Sequence, residues 1–60
     1  MAEFYRSEIS TILRRIAALN KDLFSVHTKR ERTFILEELE VAYFELSDAI
    51  SDYRSELAEV

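Results

Sequence analysis

The chain has sixty residues, no cysteine, glycine or proline, and twelve acids against eight lysines and arginines, for a net charge of −4. Without cysteine there are no disulfides or thiolate metal sites, and the one histidine, His27, leaves a zinc site short of ligands. Without glycine, every glycine-rich nucleotide motif is ruled out, and the tight turns of all-β and α/β folds are disfavoured.

Taken from the N-terminus, the chain shows no basic start followed by a long apolar run, so no secretory leader is expected. The first element is an apolar ladder at Ala2, Tyr5, Ile9, Ile12, Ile16, Leu19, Leu23 and Val26. Its steps alternate three and four, which puts every rung on one face of a helix. Leu13, Ala17 and Phe24 widen that face on one side.

The ladder then loses phase. Continued past Val26 it would place Arg30 and Thr33 in the seam. Within the break, Thr28 is followed three residues later by Glu31, the spacing of a capping box. In such a box the Thr28 hydroxyl accepts from the Glu31 amide, and the Glu31 carboxylate reaches back to the Thr28 amide. Asn20-Lys21-Asp22 is a rival break, and one unbroken helix a third option. The later break is preferred because Leu23 and Val26 stay in step with the first ladder. These signals predict helix 1 over about 2–24, a turn over about 25–28 and helix 2 over about 29–59, all in a single domain.

The second ladder runs Leu36, Leu39, Tyr43, Leu46, Ile50, Tyr53, Leu57 and Val60. Ile35, Ala42 and Ala49 lie beside it, and Phe34, Val41 and Phe44 lie well away from it. The three seam tyrosines, Tyr5, Tyr43 and Tyr53, are expected to be core residues with hydroxyls at the edge. A short link makes the helices antiparallel. Folding about residue 27 brings Leu19 near Ile35, Ile16 near Leu39, Ile9 near Leu46 and Tyr5 near Ile50. Leu57 and Val60 then overhang the start of helix 1.

A core of this size rarely supplies more than about 3–5 kcal/mol without a staple, and oligomerisation is the staple left. The stripes are also wider than one hairpin can cover. The expected fold is therefore all-α: a two-helix antiparallel hairpin that dimerises into a four-helix bundle. That shape resembles the short helical-hairpin dimers that pack as four-helix bundles, among them small plasmid RNA-binding regulators, in architecture and not in motif.

Charge is unevenly spread, at +3 over residues 1–32 and −7 over residues 33–60. Lys29, Arg30 and Arg32 open helix 2, where the helix dipole prefers anions. With His27 they offer a site for phosphate, nucleic acid or an acidic protein surface.

Catalytic chemistry has little foothold. No Glu-x-x-His pair of the bundle-metal type occurs, and the scattered serines lack the histidine and carboxylate that would activate a hydroxyl. No cofactor or metal is expected. The expectation is a cytoplasmic, non-enzymatic protein–protein interaction module: a dimeric adaptor, inhibitor or assembly factor. Its contact residues are Phe34, Val41, Phe44, Leu57 and Val60. The alternative is a dimeric nucleic-acid-binding regulator using Arg14, Arg15, Lys21, Lys29, Arg30 and Arg32. The longest apolar runs are too short to span a bilayer, so no membrane partner is expected.

Overall fold

The computed structural model describes residues 2–59. The chain forms two helices, α1 (Ala2–Ser25) and α2 (Lys29–Ala58), packed along each other as a hairpin. Among the described residues there is no strand. The hairpin measures 49 × 15 × 10 Å, close to the about 45 Å expected for thirty residues of helix.

The reversal uses residues 26–28 and, among the described residues, no positive φ. The Val26 amide still donates to the Asp22 carbonyl at 3.1 Å, so helical bonding persists to the edge of the link. Thr28 then leaves the helical region at φ −97° and ψ 150°, and its Oγ1 accepts from the Glu31 amide at 3.1 Å. The second half of the capping box differs from expectation. The Glu31 carboxylate accepts the Thr28 hydroxyl at 2.7 Å instead of reaching the Thr28 amide. The hydroxyl can donate and accept at once, so one side chain closes the motif.

The α1 face of the seam follows the sequence ladder. Ile12 and Ile16 are buried, with Ile9, Leu19, Leu23 and Val26 packed against the core. The α2 face does not. Its buried rungs are Ile35, Leu39, Ala42 and Ala49, with Leu46 packed against them and Tyr53 half-buried. Leu36, Tyr43, Ile50 and Leu57, expected in the seam, are exposed. Only Leu39, Leu46 and Tyr53 belong to both ladders. Thus α2 is rotated so that alanines face the isoleucines of α1. Ala42 is 0% and Ala49 2% exposed. Small residues opposite large ones let the backbones approach closely without voids. The same rotation leaves Tyr43 more exposed than buried, outside the core expected for it.

The register also differs. Tyr5 stacks on Tyr53, with ring centroids 5.8 Å apart and planes 13° from parallel, whereas Ile50 had been expected opposite Tyr5. Carried along the seam, this register sets Ile9 opposite Ala49, Ile16 opposite Ala42 and Leu23 opposite Ile35. Side chains lean toward the N-terminus of their own helix, so antiparallel partners meet when each is displaced toward its C-terminus. That lean moves the pairing in the observed direction. Among the described residues the extra length of α2 therefore lies mostly at the turn end, and Leu57 falls just past the level of Ala2. The outermost ladder rungs, Ala2 and Val60, fall outside the described side chains.

Candidate interaction surfaces

The rotation of α2 gives the hairpin two unlike flanks. On α2, residues spaced by seven just beyond one side of the seam are Leu36, Tyr43, Ile50 and Leu57. Their exposures are 53, 56, 42 and 55%. The ladder on the other side is Glu31, Glu38, Glu45, Asp52 and Glu59, all exposed. Arg15 of α1 bonds Glu45 at 3.1 Å, which identifies the α1 residues on that charged flank: Glu8, Arg15 and Asp22. Both partners of that ion pair are about half exposed. Such a pair is worth about 0.2–1 kcal/mol. The opposite flank of α1 holds Arg6, Leu13 and Asn20, and Leu13 is half exposed there.

Along the apolar flank, Tyr43, Leu46, Ser47, Ile50, Ser51 and Arg54 line a shallow groove of about 430 Å³. Periodicity alone assigns this ladder to the core, whereas the structure makes it a surface. The signal that finds it is the pair of alanines seven residues apart, Ala42 and Ala49, facing an isoleucine ladder.

The residues expected to meet a partner are placed as follows. Phe34, Val41 and Phe44 are exposed at 64, 50 and 68%, on the outer side of α2 among Glu37, Glu38 and Glu45. Phe34 also borders a hollow lined by Lys29, Arg30, Thr33 and Glu37. Leu57 is exposed on the apolar flank, away from that outer patch. Val60 lies outside the described residues.

The six basic residues do not form one cluster. Arg15 is tied to Glu45, and Arg14 donates to the Ser10 hydroxyl at 3.4 Å. Arg14 and Lys21, seven apart, lie along the outer edge of α1, while Lys29, Arg30 and Arg32 sit in the first turn of α2. His27 is exposed in the link. Among the described residues, no three His, Asp or Glu side chains are grouped to hold a metal. No described helix is long and apolar enough to cross a membrane.

No known protein family matches the chain, and neither a curated protein nor a solved structure does.

Proposed function

We propose that this chain is a small non-enzymatic protein–protein interaction module that works as a homodimer, two hairpins packing into a four-helix bundle. The carrying observation is its surface. The hairpin exposes 5021 Å². A folded monomer of 7.1 kDa has about 4,100 Å² by the usual scaling. The excess of about 900 Å² is close to the about 800 Å² that one partner buries in a standard interface. Its radius of gyration tells the same story, at 14.2 Å against about 10 Å for a compact domain of this length. Much of that surface is apolar: Leu13, Leu36, Tyr43, Ile50 and Leu57 share one flank, and Phe34, Val41 and Phe44 stand exposed on the outer side of α2.

A folded state that depends on association is stabilised by mass action. The midpoint of thermal unfolding, followed by circular dichroism, should rise steadily as the chain is concentrated from about 2 to about 200 μM. A midpoint independent of concentration would overturn the homodimer.

A further inference from the structure

We propose that the second copy docks on the apolar flank, with α2 packed antiparallel on its twin and the two-fold axis passing beside Ser47. The inference rests on the homodimer reading and adds the face and the register.

A two-fold interface sets one patch against itself, so the patch must tolerate its own charge. The charged flank fails this test. It carries Glu31, Glu38, Glu45, Asp52 and Glu59 from α2, joined by Glu8 and Asp22, with Arg15 as the only base on it among the described residues. Two such flanks would repel. The apolar flank is near balance, with Arg6, Lys29 and Arg54 set against Glu3 and Glu40 at its borders.

The α2 side of that flank is also self-complementary about one point. Antiparallel pairing centred just before residue 47 sets Leu36 against the twin Leu57, and Tyr43 against the twin Ile50. It sets Glu40 against the twin Arg54, and the small Ser47 against itself. Apolar residues thus meet apolar ones, each acid meets a base, and the point of closest approach has no bulk. In the register fixed by Tyr5 and Tyr53, the matching level of α1 is residue 11. The neighbouring border residue there, Ser10, is also small. The alternative, α1 stacked over the twin α2, would press Leu36 and Leu57 against polar Arg6 and Asn20.

Helix axes about 8–10 Å apart would bring the two residue-47 Cβ atoms to within disulfide reach. The chain has no cysteine, so Ser47→Cys gives a clean probe. Under mild oxidation, S47C should form a covalent dimer on a non-reducing gel. Ser55→Cys, on the acidic side of α2, should stay single. Separately, Glu40→Arg and Arg54→Glu should each weaken the dimer by about tenfold, and the E40R/R54E swap should recover affinity to within about twofold. Circular dichroism confirms that each variant is folded. Failure of S47C to link, faster linking by S55C, or a swap that does not recover overturns the placement at Ser47. If the chain still weighs as a dimer, the homodimer reading survives that failure. A monomeric chain overturns both.

Discussion

The two long flanks of this hairpin are made by the same two helices, yet they present opposite chemistry. One lines up Leu36, Tyr43, Ile50 and Leu57, with Leu13 across from them. The other lines up five acids on α2 and meets α1 through the Arg15–Glu45 ion pair. Water solvates the carboxylates of the charged flank well, although Phe34 and Val41 stand exposed just beyond them. The apolar flank leaves hydrocarbon in water. Fully burying such a side chain stabilises by about 1.5–3 kcal/mol, and about half of that is unrealised at each of these positions. One face of a two-helix layer is thus matched to water by its charges, while the other gains by leaving it.

The largest effect should come from breaking the apolar flank. Ile50→Glu puts a carboxylate where the cover would desolvate it, and should weaken association by at least about 100-fold. Glu38→Gln on the charged flank should change it by less than about twofold. Light scattering over a dilution series compares the two. Equal effects would erase the distinction between the flanks.

Ala42 lies between the flanks and holds α2 in the rotation that creates both. Ala42→Leu should cost about 1–3 kcal/mol of stability through overpacking. The same enlargement at exposed Ala18 should stay within about 0.5 kcal/mol. Urea unfolding at fixed chain concentration reads both. A neutral A42L would mean that the seam is looser than Ala42 implies.

The link that aligns the flanks depends on one side chain. Thr28→Ala removes the cap of α2 and should cost about 1 kcal/mol, seen as a lower urea midpoint.

The smallest effect belongs to the charged flank. Arg15→Ala should cost about 0.2–1 kcal/mol, and the loss should fade near 1 M salt, where the screening length is about 3 Å. A salt-independent loss would show that Arg15 acts through packing.

Much of this fold is legible in the sequence. The Thr28–Glu31 spacing located the hinge, and the α1 ladder was correct from Tyr5 to Val26. On α2, periodicity had two answers, because Ile35/Leu36, Ala42/Tyr43 and Ala49/Ile50 are adjacent apolar pairs. Either member of each pair keeps the three-four rhythm with Leu39, Leu46 and Tyr53. Side-chain volume makes the choice: alanine fits opposite isoleucine at close approach, and tyrosine does not. Volume is a property of the facing helix as much as of the chain segment itself, so a one-helix pattern could not decide it. The same blind spot turned four surface residues into expected core and hid the apolar flank. The outer patch of Phe34, Val41 and Phe44 was visible because it stands away from either ladder.

The most direct test of the account is the mass of the native chain in solution. Static light scattering near 50 μM should give a particle of twice the 7.1 kDa chain mass, dissociating on dilution. A folded, fully helical species that keeps the mass of one chain at that concentration would contradict the account, because the flank of Leu36, Tyr43, Ile50 and Leu57 would then be stable uncovered.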